Sequence, residues 1–206
     1  KYPRIDKELV QKYHKGLIAT TCCLGASVPR TILRKGEKEG EAEFKWWLDL
    51  FGEDYYIELQ RHDIPEQNQV NEILLKWAVK YNVKVIASND SHYVDQKDYN
   101  AHDILLCINT GEKQSTPILK DFDDDVSMKG KRFAFYNDQF YFKNTQEMSV
   151  LFNDVPEAID NTNEIVGKIE PLKLKQDIML PHFKIPPGFD SQDEYLKHIT
   201  FEGAKT

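Results

Sequence analysis

Three short apolar runs, at residues 17–21, 55–59 and 83–87, constrain this chain more than any other feature. Each is strand-length, and the stretches between them carry helical periodicity instead. Before the second run, Phe44, Trp47, Leu48 and Phe51 fall at i, i+3, i+4 and i+7, an apolar stripe facing a core. Before the third, Val70, Leu74, Trp77 and Tyr81 repeat the pattern behind Pro65, a residue suited to a first helical turn. Further helices are predicted over 6–13, with Leu9, Val10 and Tyr13 on one side and Gly16 as a stop, around 28–34, and over 95–108. The resulting order α-β-α-β-α-β-α, with short connections, is what parallel sheets and β/α barrels require.

In β/α barrels the chemistry lies at the carboxyl ends of the strands. All three runs end in suggestive residues. The first leads into Cys22 and Cys23, the second into Arg61 and His62, and the third into Asp90 and His92. Residues i and i+2 of an extended chain point to one side, so Asp90 and His92 converge if the strand geometry persists. A thiolate, an imidazole and a carboxylate at one rim suit a zinc-type ion. The same residues also have plainer readings: Asp90 as a cap, His92 as a polar surface group, the cysteines as small buried side chains.

Composition narrows the classes. With 206 residues, of which 40% are hydrophobic, the chain can bury a core of one domain and part of a second. No apolar run approaches the roughly 20 residues needed to cross a bilayer. The opening Lys1-Tyr2-Pro3-Arg4 has no apolar signal behind it, so the expectation is a soluble, intracellular protein without membrane contacts. Three cysteines, two of them adjacent, argue against a disulfide framework and for a reducing compartment. A net charge of −7 excludes a self-sufficient module that grips nucleic acid with its whole surface. Two local basic groups, Arg30/Arg34/Lys35/Lys38 and Lys129/Lys131/Arg132, read as solvated faces.

Other polar residues carry structural expectations. His14 sits where an imidazole meets the free carbonyls of a helix end. Glu58 faces the barrel lumen or pairs with a cation, and His62 is a further rim candidate. His102, Asp103 and Cys107 serve the packing of their helix, together with Ile104, Leu105 and Ile108. Asp121-Phe122-Asp123-Asp124-Asp125 invites comparison with paired polymerase aspartates, but its polar surroundings indicate an exposed loop. Two helices are predicted over 145–152 and 156–169, with Asn144 or Thr145 and Asp154 as available caps. A proline-rich connector follows, then a last helix from Asp190-Ser191 through Tyr195 and Ile199.

Collinear motifs make the chain recognisable. Gly16-Leu17-Ile18-Ala19-Thr20-Thr21-Cys22-Cys23-Leu24, Tyr56-Ile57-Glu58-Leu59-Gln60-Arg61-His62 and Ile64-Pro65-Glu66-Gln67 resemble the polymerase-and-histidinol-phosphatase (PHP) domain of bacterial DNA polymerase III alpha subunits. The resemblance continues through Ala87-Ser88-Asn89-Asp90-Ser91-His92-Tyr93 and the segment from Ala101 to Gly111. It resumes at Phe140-Tyr141-Phe142-Lys143-Asn144 and Pro156-Glu157-Ala158-Ile159-Asp160-Asn161-Thr162, and is weakest over 115–137.

This resemblance implies an α/β fold: part of a distorted, TIM-like β/α barrel of the PHP type, followed by a mainly helical and extended tail. It divides the chain into the carboxyl-terminal part of the PHP domain at 1–114, a polar insertion and strand at 115–143, a helical segment at 144–170, and a connector toward the polymerase body at 171–206. The family's rim holds up to three divalent ions, zinc or manganese. Its cysteine ligand corresponds to Cys23 and its closing D-x-H to Asp90 and His92. The family's early H-x-H has no counterpart in this sequence, so weak metal binding or none is expected of these residues alone. The implied function is that of a fragment of a replicative DNA polymerase. It carries a possible metal-dependent 3′–5′ exonuclease or phosphoesterase role and braces the polymerase. The polymerase's own magnesium site lies outside these residues. The implied partners are DNA and deoxynucleotides through the parent enzyme, with other replication subunits, in the bacterial cytoplasm. Two alternatives stay open: a stand-alone PHP-type phosphoesterase, and a catalytically silent module that binds other subunits.

Overall fold

Parallel pairing of the three apolar runs organises the molecule. The structure, a computed structural model, describes residues 4–119, 130–171, 173, 175, 177–178 and 182–205. The runs form β1 (Ala19–Thr20), β2 (Tyr55–Leu59) and β3 (Val85–Ala87), with β2 in the middle. Ala19 pairs with Tyr55, and Ile57, Glu58 and Leu59 pair with Val85, Ile86 and Ala87. Among the described residues this sheet is open and does not close into a barrel. β1 is shorter than the apolar run suggests, and Leu17 is exposed rather than buried.

Helices α1 (Lys7–Tyr13), α2 (Ser27–Lys35), α3 (Glu37–Phe51) and α4 (Pro65–Tyr81) alternate with the strands as the periodicity requires. Asp6 caps α1 by accepting from the Leu9 N–H at 2.9 Å, and the His14 ring meets the Gln11 carbonyl at 2.8 Å. Yet α1 buries no residue. The core lies between α3, α4 and the sheet, where the Phe44 ring stands 5.4 Å from Tyr55 and 5.3 Å from Trp77. Phe44, Val70, Leu74 and Trp77 are all buried, and each such side chain contributes about 1.5–3 kcal/mol on leaving water. Gly40 lets α2 and α3 touch: a Cβ there would stand 2.4 Å from Ile32 Cγ1.

The amino-terminal end of α4 turns polar residues inward. Gln67 and Asn71 are buried, and Asn71 Nδ2 donates to the Gln60 carbonyl at 2.9 Å. The first turn of α4 therefore faces the carboxyl end of the sheet with hydrogen-bonding groups, while its later turns are apolar.

After β3 come a short 3-10 turn and α5 (Tyr99–Thr110), then α6 (Thr145–Leu151) and α7 (Glu157–Lys168). α5 packs through Asp103 and Cys107, two residues expected to serve its packing, but its Ile104, Leu105 and Ile108 side chains are exposed. The reason is Arg132, which is buried and not part of a solvated basic face: its guanidinium reaches both Asp103 oxygens, at 2.5 and 3.1 Å. Asn144 caps α6 in a reciprocal box with Glu147. Asp154 does not cap α7, which begins at Glu157, because its carboxylate is taken by a two-pronged bond from Arg61 at 2.6 and 2.8 Å. α7 covers β3, and Asn161 Nδ2 satisfies the Val85 carbonyl at 2.8 Å.

Two compact units divide the chain, Lys1–Ile169 and Glu170–Thr206. In the second, α8 (Gln192–Gly203) is capped by Ser191, and Phe183 and Phe189 pack on Tyr195. The acidic run from Asp121 to Asp125, and Lys129, lie outside the described residues. No described helix is long and apolar enough to cross a membrane.

Candidate metal centre

The carboxyl ends of the three strands are tied together through Glu58. Its Oε2 accepts from Thr20 Oγ1 at 2.6 Å, and its Oε1 accepts from Ser88 Oγ at 2.5 Å and from Gln60 Nε2 at 3.1 Å. Thr21 Oγ1 also accepts the Glu58 backbone N–H at 2.9 Å. Glu58 thus faces the sheet's carboxyl end, as expected of a rim residue, but its described partners are hydroxyls and an amide from β1 and from the residues just beyond β2 and β3 rather than a cation. Beside it is a small cavity of about 10 Å³ lined by Cys22, Cys23, Glu58, Gln60, Gln67 and Asn71 among others, room for about one water.

Immediately after β1 the chain turns sharply, with Cys22 at φ +59°, a left-handed conformation that non-glycine residues adopt rarely. The turn leaves Cys22 exposed and Cys23 half-buried. A hydrogen bond from Cys22 lowers the Cys23 thiol to about 6, against the opposing effect of burial and with help from the Gly25 N–H. The same bond, with burial and the nearby Glu58 carboxylate, pushes Cys22 up. Cys23 is therefore the member of the pair that carries thiolate character, the form in which sulfur ligates metals. Asp90 lies close enough that its carboxylate acts against ionisation of Cys23.

Asp90 and His92 do come together, but not by strand geometry. β3 ends at Ala87, and Asp90 is left-handed at φ +49°. A turn does the work: His92 Nδ1–H donates to the Asp90 carbonyl at 2.9 Å, with the Asp90 carboxylate 3.7 Å away. This bond leaves Nε2 with the free lone pair, the usual state of a metal-binding imidazole. The His92 ring rests on Phe135 at 4.4 Å, and its backbone N–H donates to the Phe140 carbonyl at 2.8 Å.

His62 is not free to ligate anything. It is 1% exposed and stacks on Phe140 at 4.2 Å with nearly parallel planes. Gln67 Nε2 donates to its Nδ1 at 3.0 Å, and its Nε2–H donates to the Asn89 carbonyl at 2.7 Å. Burial lowers its pKa, so the ring is held neutral.

The donor chemistry of Cys23, Asp90 and His92 fits a divalent ion. Even so, no three His, Cys, Asp or Glu side chains converge into a metal-holding group among the described residues. Sequence reasoning missed Thr20, Gln60, Ser88, Asn89 and Lys143, all of which join this rim through hydrogen bonds. Gln60 alone had a signal, since it lies two residues from Glu58 on the same side of the chain.

Comparison with known proteins matches residues 1–62 to the PHP domain. Over 98% of its length the chain is 42% identical to the DNA polymerase III subunit alpha of Borreliella burgdorferi, covering 17% of that protein. It is 36% identical to the subunit of Thermus aquaticus, and 33% to that of Treponema pallidum, covering 16% of each, with 98% of the chain aligned in both cases. The chain thus spans about a sixth of the length of these curated relatives.

Proposed function

We infer that the chain is a segment of a bacterial replicative polymerase of the DNA polymerase III alpha family, carrying the later part of its PHP domain. Its likeness to those subunits runs along nearly the whole chain, which favours this reading over a stand-alone phosphoesterase. On this reading the open three-stranded sheet is an arc of the family's β/α barrel, and the parent protein is a cytoplasmic DNA-directed DNA polymerase that meets DNA, deoxynucleotides and other replication subunits.

Within the segment, Cys23, Asp90 and His92 would each contribute a ligand to a zinc or manganese ion, whose site would be completed by residues outside this chain. One observation supports the assignment: a turn brings His92 onto Asp90, with Nδ1–H bonded to the Asp90 carbonyl so that the Nε2 lone pair is left, and Cys23 lies within electrostatic reach of the Asp90 carboxylate. When bound, such an ion supplies water activation and charge neutralisation for phosphodiester hydrolysis. The chain's own residues do the rest. Cys22 donates to the Cys23 sulfur and favours its ionised form. The Asp90 carbonyl fixes the His92 ring. Glu58 holds the three strand ends at a constant spacing through Thr20, Ser88 and Gln60.

The test is elemental analysis of the full-length protein together with release of nucleotides from a 3′-labelled DNA strand, for wild type, Cys23→Ala and Asp90→Ala. Loss of bound metal and of nuclease rate in both variants is expected, with polymerase rate retained. Unchanged metal content and rate in both would leave the segment a brace without chemistry.

A further inference from the structure

The turn that presents Asp90 and His92 is held by residues far from it in sequence, and they converge on Asn89. Its backbone carbonyl accepts His62 Nε2–H at 2.7 Å. Its Nδ2 donates to the Tyr141 carbonyl at 2.9 Å and to Ser91 Oγ at 3.0 Å. Its Oδ1 receives Lys143 Nζ at 3.4 Å, and that ammonium also donates to the Gln139 carbonyl. Asp90, the next residue, is left-handed, a conformation that persists only where the surroundings impose it.

The His62 end of this arrangement is itself fully specified. Gln67 Oε1 accepts the His62 backbone N–H at 2.8 Å and its amide lies against Nδ1, with Nε2 at 3.0 Å and Oε1 at 3.3 Å, while the ring's Nε2 faces the Asn89 carbonyl at 2.7 Å, which can only accept. That leaves the single ring proton on Nε2, aimed at Asn89. Asn137 Nδ2 takes the His62 carbonyl at 2.5 Å, and the ring is clamped flat against Phe140. Phe140 in turn accepts the His92 N–H through its own carbonyl. His62 and the 137–143 segment therefore grip the Asp90–His92 turn on both sides.

We propose that His62 is a positioning residue for the metal ligands Asp90 and His92, acting through the Asn89 carbonyl, with Asn89 and Lys143 completing the grip. The proposal rests on the reading of Cys23, Asp90 and His92 as ligands. Groups that orient metal ligands from behind change metal affinity by about 10–100-fold when removed, and His62 has the reach and the fixed proton for that role.

The experiment titrates Co²⁺ into the metal-stripped full-length protein and follows the visible absorption of the bound ion. It compares wild type, Asp90→Ala, His62→Phe and His62→Gln, with folding checked by circular dichroism. His62→Phe preserves the stack on Phe140 and removes the donor, so Co²⁺ affinity should fall about 10–100-fold with an altered absorption band. His62→Gln returns an N–H near the Nε2 position and should recover most of the affinity. A merely structural histidine would lower the melting temperature of His62→Phe and leave affinity and band unchanged, which would overturn the proposal. If wild type takes up no Co²⁺, or Asp90→Ala binds it as wild type does, the ligand assignment itself falls and this inference with it. Should His62→Phe not fold, His62→Met, which also lacks the ring donor, is read in its place by the same criteria.

Discussion

Replacing Asp103 by Asn tests whether the buried pair on α5 organises its surroundings. Arg132 is 4% exposed, and its described donors go to Asp103 Oδ1 at 2.5 Å, Asp103 Oδ2 at 3.1 Å and the Thr116 carbonyl at 3.1 Å. Gln114 Nε2 also donates to Asp103 Oδ2 at 2.8 Å. An asparagine keeps the shape but sets an NH₂ against a guanidinium or against Gln114, and leaves the cation buried without a counter-charge. Removing one partner of such a pair costs about 3–5 kcal/mol. Two charge-assisted hydrogen bonds at about 1.5–3 kcal/mol each give a consistent sum. The Arg132 backbone bonds to Pro117 and Leu119, so the loss should be local to α5 and residues 112–119. Hydrogen exchange of peptides from this region, in the full-length protein, reads it directly: protection should fall by about two to four orders of magnitude, at 1.36 kcal/mol per tenfold. In Asp103→Asn/Arg132→Met both charges are gone; the introduced amide oxygen can still accept from Gln114, and its NH₂ and the Thr116 carbonyl lose their partners at about 1–3 kcal/mol each at most. The double variant should therefore exchange more slowly than Asp103→Asn alone. Equal exchange in wild type and Asp103→Asn, or a double variant that loses the sum of both single losses, would refute the reasoning.

Two further outcomes follow from the same geometry. Burial opposes ionisation of Asp103, but the Arg132 and Gln114 hydrogen bonds outweigh it and hold the carboxyl below its ordinary 3.8. A lowered folded pKa adds stability that is complete above the unfolded value and is lost as pH falls through the folded one. Protection of α5 should thus decline below about pH 4 in wild type, and Asp103→Asn should flatten that decline; an identical acid limb in both would contradict the pair's role. Alanine at Gly40 should destabilise by up to about 2 kcal/mol, since a gain of about 1 kcal/mol in helix propensity is set against overpacking of about 1–3 kcal/mol on Ile32. Gly167 in α7 has nothing within 4 Å of a built Cβ, so Gly167→Ala should stabilise by up to about 1 kcal/mol. Thermal melts of the two variants should move in opposite directions, and a Gly40→Ala protein as stable as wild type would show that the α2–α3 contact yields.

The fold was legible wherever one segment carried its own reason. Pro65 opens α4 and Asn82 ends it in a left-handed cap, with Val70, Leu74 and Trp77 as the stripe between; period, start and stop all lie within one stretch of sequence. β2 runs over Tyr55–Leu59 as its composition predicts. Errors arose where a distant partner outweighed local pattern. Asp154 resembles a cap, yet Arg61, 93 residues away, takes its carboxylate. The sequence assigns Ile104, Leu105 and Ile108 to the packing of α5 along with Asp103, yet they are exposed, and Asp103 alone of these turns inward to Arg132, 29 residues on, which needs a counter-charge once it is buried. A buried charge and its partner must satisfy each other, and neither can be found from its own neighbourhood.

The same division runs through the candidate site. Cys23, Asp90 and His92 could be proposed because each follows a strand, and strand ends are local. How they are presented could not be, because the extended geometry that would have made Asp90 and His92 neighbours stops at Ala87. Their approach depends instead on a left-handed Asp90 and on Asn89, whose partners come from residue 62 and from the 139–143 segment. His62 illustrates the cost of reading residue type alone. As a histidine at a strand end it looked like a ligand, but a ring whose two nitrogens already serve Gln67 and Asn89 has no lone pair left for an ion. On the proposed reading the two histidines differ in the atom each leaves for an ion: the Asp90 carbonyl takes His92 Nδ1–H and leaves the Nε2 lone pair, whereas both His62 nitrogens are engaged by Gln67 and Asn89.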